Sequence, residues 1–469
     1  MDLTGLSATE LSARIAGGAV SAHDVMAAFL DRIEAVNPTI NAIVSMRPRV
    51  ELLAEAEAAD RGGRRGWLHG VPVAVKDLVA TKGIRTTYGS PLHADLVPEA
   101  DDLVAGRLKA AGAILIGKTN TPEWGQGSHS FNPVHGTTLN PYDLTRSAGG
   151  SSGGAAAALA ARLVPVADGS DMMGSLRNPA AFCNVYGFRP TWGLVPQDAD
   201  GDTFLATLST EGPMGRSPED VARLLNVLAG PHPETPFGRP AEDFAAGLDR
   251  PLRGRRIGWL ADWGGAYALE PGIADLCAAA LAVFEAEGAI VEPLAPPFPA
   301  EEIWRSWTTL RAMLNAGAKA GLASDPAKRA LTKPETLWEI EQGLELSAAD
   351  VYAASVIRSR WYAVAARLFE RFDALALPAA QVWPFPAEWR WPETIGGRKM
   401  DTYHRWMEIV VPVSLIGLPC LALPAGFGAH GLPMGMQLFG RTGADAAILA
   451  MGQRYHRATD WPNRRPPVL

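Results

Sequence analysis

The stretch between Gly149 and Pro179 restricts the backbone more than any other part of the chain. It opens as Gly149-Gly150-Ser151-Ser152-Gly153-Gly154 and passes through a run of small residues. It closes as Gly169-Ser170-Asp171-Met172-Met173-Gly174-Ser175-Leu176-Arg177-Asn178-Pro179. Two glycine-rich loops thus flank a helix of very small side chains. Glycine tolerates dihedrals closed to other residues and lets backbones approach closely. Such loops can also aim backbone N–H groups at an anion. Turns that merely close a tight helix account for the glycines but not for the paired serines.

Around this segment the hydrophobic pattern alternates between helix and strand. Ser7 and Glu10 form a capping box before Leu11 and Ile15. A second helix starts at Ser21, is apolar at Val25, Phe29 and Ile33, and is expected to stop at Asn37-Pro38. Further helices are expected over 50–59, 103–111, 155–163 and 218–228. Strands are expected over 70–77, 113–116 and 164–167. This order argues for an α/β sheet with helices on both faces. A proline-rich segment, 231–251, marks a composition shift. Beyond it the pattern predicts strands at 256–260, 374–377 and 434–438. Helices are predicted at 272–287, near 348–372 and at 444–456, with an exposed loop at 390–400.

Several function classes are excluded. A formal net charge of −7, from 43 basic and 50 acidic side chains, carries no basic footprint for nucleic acid. Cys183, Cys277 and Cys420 are odd in number and widely spaced, so a disulfide framework is not expected and a reducing cytoplasm is. The first 19 residues read as polar and amphipathic rather than as a signal peptide. Residues 409–428 carry no charge, but Pro412, Pro419 and Pro424 interrupt them. They read as a helix end, a turn and a buried strand over 419–423, not as a membrane span.

Two motif matches are formal. Gly112 to Thr119 fits GxxxxGK[ST], yet the intervening residues are apolar and strand-forming, which a phosphate-cradling loop is not. Gly149 to Gly153 fits the GxSxG nucleophile elbow, with Asp373 and His456 available as later partners. An elbow serine follows a strand, and 145–149 does not read as one. The nine histidines show no metal-ligand spacing.

Taken with Val75-Lys76-Asp77, the Gly-Gly-Ser-Ser-Gly-Gly run resembles the amidase-signature family of serine hydrolases. Ser175 follows Ser151 at 24 residues, the family's spacing. Gly117 to Glu123, Asn140 to Asp143, Gly187 to Thr191, Glu211 to Met214, Gly417 to Pro419 and 431–440 resemble its neighbouring blocks. The likeness is weakest over about 232 to 400. It implies one three-layer α/β/α domain with a large mixed sheet. N-terminal helices (1–60) would precede a signature core (62–230). A variable region (231–405) would serve substrate recognition, and a C-terminal return to the core (406–469) would follow.

The resemblance also implies the chemistry. The reaction is hydrolysis of a carboxamide, or of a related carbamate or ester, through an acyl-enzyme. Ser175 is the nucleophile, Ser151 the relay with a cis peptide before it, and Lys76 the base. The backbone N–H groups of Met172, Met173, Gly174 and Ser175 form the oxyanion hole, and Asp171 and Arg177 brace the loop. No metal or organic cofactor is implied. The expected partner is a small amide or carbamate, apolar or aromatic, with no nucleic acid and no membrane; a homodimer is compatible with it. Two other readings stay open. One is an amidotransferase component supplying ammonia for tRNA-linked amidation. The other is a non-catalytic binding protein on the same fold, against which the joint presence of Lys76, Ser151 and Ser175 argues.

These roles make physical sense. A serine hydroxyl needs a neighbouring base, and no histidine is placed locally to serve. Lysine serves only when neutral, so its ordinary pKa of about 10.4 has to be lowered by its surroundings. The chain departs from the family's Thr-Asp-Ile-Gly-Gly-Ser at Met173, which keeps the N–H. A positive φ there would strain a methionine. The side chain either forms an adaptable wall of the acyl pocket or packs into the core. Eight of the 14 tryptophans lie between Trp304 and Trp406, among them Trp383, Trp389 and Trp391. They are candidates for apolar substrate anchors or for rings that staple long loops to the core.

Overall fold

The N-terminal helices begin where their caps place them. Ser7 and Glu10 cap Ala8–Ala16 reciprocally, and Ser21 caps Ala22–Ile40. The second helix does not stop at Asn37; it continues through Pro38 to Ile40. Proline forfeits one helical N–H bond there, in the last turn. The Asn37 side chain compensates by accepting the N–H groups of Ala42 and Ile43 at 3.0 and 2.8 Å. The computed structural model describes residues 2–198 and 201–469.

Strands β1 (Ile43–Val44), β2 (Pro72–Lys76) and β3 (Ile114–Thr119) form a small sheet in the order β1-β3-β2, with β2 and β3 parallel. The main sheet has eight strands. They are β4 (Val166–Asp171), β5 (Tyr186–Arg189), β6 (Thr210–Gly215), β7 (Arg256–Trp259), β8 (Ile290–Pro293), β9 (Ala374–Pro378), β10 (Cys420–Phe427) and β11 (Pro433–Phe439). Their spatial order is β8-β7-β9-β11-β10-β5-β6-β4. Strand β7 runs parallel to β8 and β9, and the remaining ladders are antiparallel, so the sheet is mixed as expected. The last two strands of the chain sit between β9 and β5 and join the two halves.

Alternation along the central strands puts helices on both faces. Gly435 and Gln437 point toward the helix Arg177–Phe182; a Cβ on Gly435 would lie 2.9 Å from Ala181. Leu421 points the opposite way, where Gly452 of the helix Asp445–Thr459 leaves room for it. The small-residue helix, Gly153–Ala160, is buried along its whole length. A Cβ on Gly154 would come within 2.3 Å of the Asn120 backbone nitrogen, so glycine is required there.

Three local expectations need correction. Residues 390–400 are not simply an exposed loop: Thr394–Ile395 and Arg398–Lys399 pair as a hairpin, with Ile395 and Met400 buried. Residues 143–147 do form a strand, paired with Leu139–Asn140 outside the main sheet. Residues 409–428 hold the helix Val411–Leu415 and strand β10, which runs on past 423 to Phe427. Among the described residues no helix is long and apolar enough to cross a membrane.

Strand β5 meets the loop before the helix Arg177–Phe182 with no room to spare. A Cβ on Gly187 would lie 2.0 Å from the Leu176 carbonyl oxygen. Gly187→Ala is therefore expected to cost at least about 1–3 kcal/mol of stability through overpacking, read as a lowered thermal midpoint. An unchanged midpoint would show that the loop yields freely.

Candidate active site

Lys76 ends β2 and is fully buried. Its backbone N–H donates to Asp168 Oδ1 of β4 at 3.0 Å, which fixes where the side chain starts. The Nζ donates to Ser151 Oγ at 2.8 Å, Ser152 Oγ at 2.9 Å and Ser170 Oγ at 2.9 Å. Ser151 and Ser152 reach it because the chain turns sharply before the helix Gly153–Ala160, with a cis peptide between Gly150 and Ser151. Ser128 Oγ holds the Gly150 carbonyl, and Ser130 Oγ donates to the Ser151 carbonyl at 3.3 Å. Gly169 admits Ser152, whose Oγ would lie 2.7 Å from a Cβ at that position.

Burial pushes the Lys76 pKa down; the carboxyls of Glu211, Asp168 and Asp171 oppose it. Burial also pushes the Glu211 carboxyl well up, against the attraction of Lys76. Asp168 rises to about 6 for the same reason, resisted by the Lys76 N–H and by Lys118. One Glu211 oxygen, Oε2, is buried without a hydrogen-bond partner. A Glu211 carboxyl that burial keeps protonated no longer holds the proton on the neighbouring amine.

Ser175 lies in the loop between β4 and the helix Arg177–Phe182. Asp171 organises that loop. Its carboxylate receives Arg177 Nε at 2.9 Å and Nη2 at 2.9 Å, Arg189 Nη1 at 3.0 Å, and the N–H groups of Gly174 at 2.9 Å and Leu176 at 3.1 Å. Burial, the largest influence, pushes the Asp171 pKa up, but the two guanidinium groups and these hydrogen bonds together hold it below the ordinary range. Arg177 goes on to Gln437 Oε1 at 2.6 Å and the Val410 carbonyl at 3.0 Å. The Gly174 N–H is thus committed inward, while those of Met172, Met173 and Ser175 have no acceptor among the described residues. The positive φ of the loop, 82°, falls on Gly174 rather than on Met173. Met173 is therefore unstrained, and it both packs into the core and borders the cavity below.

Ser151 and Ser175 share a cavity of about 110 Å³. Leu78, Trp124, Met172, Met173 and Met407 form its apolar wall. The eight tryptophans of 304–406 do not border it; Trp304, Trp307, Trp361, Trp383 and Trp406 are buried as core. What the variable region sends in is polar: Arg311, Asn315 and Lys319 from the helix Ala300–Ser324. Sequence reading missed these three, although their fourfold spacing is visible. It also missed Asp168, and it quoted Ser170 and Glu211 without a role beside Lys76. Arg189 stood in a quoted block without a role.

The rival motifs separate in space. Lys118 ends buried on Thr81 Oγ1, at 2.6 Å, and on the Val79 carbonyl, within a continuous strand. Asp373 pairs with Arg255 at 2.6 Å, and His456 Nδ1 shares a hydrogen bond with the Tyr186 hydroxyl at 3.1 Å. Neither borders the Ser151 cavity. The elbow reading fails on that distance, not on the missing strand. Cys183 is buried, and burial pushes its thiol well up, so it is not a thiolate nucleophile. Among the described residues no group of three His, Cys, Asp or Glu side chains could hold a metal ion.

Known proteins resemble this chain along nearly its whole length. The model of the amidase family matches residues 24–449. An acylamidase of Rhodococcus erythropolis is 32% identical, over 99% of this chain and 98% of its own. A glutamyl-tRNA(Gln) amidotransferase subunit of Chloroflexus aurantiacus is 34% identical, over 100% of this chain and 99% of its own. The crystal structure of a bacterial aryl acylamidase of the amidase-signature enzymes superposes with a TM-score of 0.91 at 30% identity, covering 98% of this chain and 99% of that one.

The depressed Asp171 pKa gives the site a pH signature. The stabilisation is complete above the unfolded value, 3.8, and is lost as pH falls below it. Asp171→Asn leaves two buried guanidinium groups unpaired and is expected to cost about 3–5 kcal/mol at neutral pH. It should also flatten the acid limb. Urea unfolding at several pH values measures both.

Proposed function

The chain belongs to the amidase family, and from that premise we propose that Ser175 is its acylated nucleophile, Ser151 its proton relay and Lys76 its terminal base. The protein is a hydrolase of carbon–nitrogen bonds other than peptide bonds and acts on a small-molecule amide. The observation that carries the residue roles is the Lys76 Nζ to Ser151 Oγ contact of 2.8 Å, in a buried site that opens onto the cavity of Ser175.

A neutral lysine has two N–H donors and one lone pair. With three hydroxyl neighbours, it donates to two and accepts from the third. Ser152 points its proton at the Ser170 carbonyl, 3.4 Å away, which leaves Ser151 and Ser170 as hydroxyls able to donate to the lone pair; the relay proposed here uses Ser151. Ser151 passes its proton to Lys76 and takes one from Ser175, whose oxygen attacks the amide carbon. The free N–H groups of Met172, Met173 and Ser175 meet the oxyanion, where preorganised donors contribute most. The return path protonates the leaving amine. Water then repeats the cycle on the acyl-enzyme, and carbamates and esters fit the same sequence.

The apolar wall of Leu78, Trp124 and the three methionines favours an apolar or aromatic segment beside the scissile bond. The variable region, 231–405, serves recognition through the helix Ala300–Ser324. A cytoplasmic setting belongs to the same reading, supported by three buried, unpaired thiols. The relatives named as amidotransferase subunits favour a second reading, in which the chain supplies ammonia within a complex. Amide hydrolysis by the purified single chain decides for the first.

A serine-directed phosphonyl reagent is expected to label Ser175; mass spectrometry of a peptide labelled at Ser151 instead would reverse the two roles. The pH profile tests the base. Because burial lowers the Lys76 pKa, kcat/KM should rise with pH through an apparent pKa below the ordinary 10.5. Lys76→Ala should lose about 100-fold or more and the rising limb with it. Lys76→Arg should be equally poor, because a guanidinium stays charged. A folded Lys76→Ala with an unchanged limb would assign the base elsewhere.

A further inference from the structure

Arg311, Asn315 and Lys319 repeat every fourth residue of the helix Ala300–Ser324, so they share one face, and all three border the cavity of Ser151 and Ser175. Their charges are not equally spent. Glu339 is saturated. Its Oε1 accepts from Arg311 Nε at 2.6 Å and the Tyr403 hydroxyl at 2.6 Å; its Oε2 accepts from Gln126 Nε2 at 3.1 Å and from Asn315 Nδ2. Its single negative charge is matched by Arg311. Lys319 donates to Asn315 Oδ1 at 2.9 Å and forms no ion pair among the described residues. Gln126 also donates to that oxygen, at 2.9 Å, which fixes the asparagine and with it the ammonium. An ammonium has three donors, and the protein takes one.

A cavity bordered both by apolar side chains and by an oriented cation without an ion pair among the described residues suits a ligand of the same mixed polarity. We propose that the amide cleaved here carries a carboxylate, received by the Lys319 ammonium while the scissile carbonyl lies at Ser175. This rests on the amidase reading above and names its substrate class. Burial pushes the Lys319 pKa down to about 8, with Glu339 opposing, so the side chain is still mainly charged at neutral pH. Arg311 Nη1 donates to Met172 Sδ at 3.3 Å, which ties this helix face to the oxyanion loop. The carboxylate can sit on the acyl side or on the amine side of the bond, and the two are separable.

The test compares butyranilide with two carboxylated relatives: succinic monoanilide, charged on the acyl side, and 4-butyramidobenzoate, charged on the amine side. Product amine is measured by chromatography for each. Wild type is expected to favour one carboxylated compound over butyranilide by about tenfold or more in kcat/KM, the scale of one charge-assisted hydrogen bond. That ratio should fall to near one in Lys319→Met and return in Lys319→Arg. Equal or poorer turnover of both carboxylated compounds by wild type, or a preference that survives Lys319→Met, overturns the proposal. Butyranilide hydrolysis that needs Ser175 but shows no carboxylate preference overturns this inference alone. Hydrolysis undiminished in Ser175→Ala overturns the reading beneath it.

Discussion

One buried carboxylate holds the parts of this site in register. Asp171 closes β4 and receives guanidinium groups from the following helix and from β5, together with two amides of its own loop. Through Arg177 the connection continues to Gln437 of β11 and the Val410 carbonyl. Five separate pieces of chain thus meet on a single charge. A buried ion of this kind contributes little as a pair, but removing one partner strands the others. The loop that carries Ser175 is therefore held by a carboxylate that two guanidinium groups and two amides share.

Lys76 sits under a different balance. Burial disfavours its charged form, while nearby carboxyls favour it. Glu211 and Asp168 would restore the charge if both stayed ionised, but the same burial pushes their own pKa values up. The outcome is a cluster that economises on charge as a whole, in which hydroxyls rather than ions surround the amine. Hydroxyls both donate and accept, so they can follow a proton as it moves; a carboxylate at the same place would hold it.

How much of this was legible in the sequence depends on the range of the interaction. Local rules placed the Ser7 cap, the helix Pro218–Leu228 and the strand before Lys76. The spacing of Ser151 and Ser175 made the resemblance and named the residues that the structure brings together. Pro38 misled because a local rule ends helices at proline, whereas a side-chain bond from Asn37 supports one more turn. The tryptophans left two readings open because composition reports size and not direction; most of them are buried, as rings that staple loops to the core would be. Arg311, Asn315 and Lys319 went unread because helical spacing reveals a shared face but not what that face looks at. Arg189 and Gln437 are polar residues on strands buried at both faces, and only the three-dimensional partner explains them.

The sheet order has a consequence for how the chain is made. Strands β10 and β11, the last to be synthesised, occupy the middle of the main sheet, between β9 and β5. Until they emerge, the growing chain carries two incomplete half-sheets, each with an unpaired inner edge. Synthesis proceeds at about 5–20 residues per second, so the roughly 230 residues between β5 and its neighbour delay their pairing by about ten seconds or more. Such edges are templates for pairing with other chains. The sheet therefore cannot close until residues 420–439 have emerged, and a chain cut short before Cys420 would keep both edges open. Quality control in the cell would meet this protein at that stage, as two half-sheets waiting for their centre.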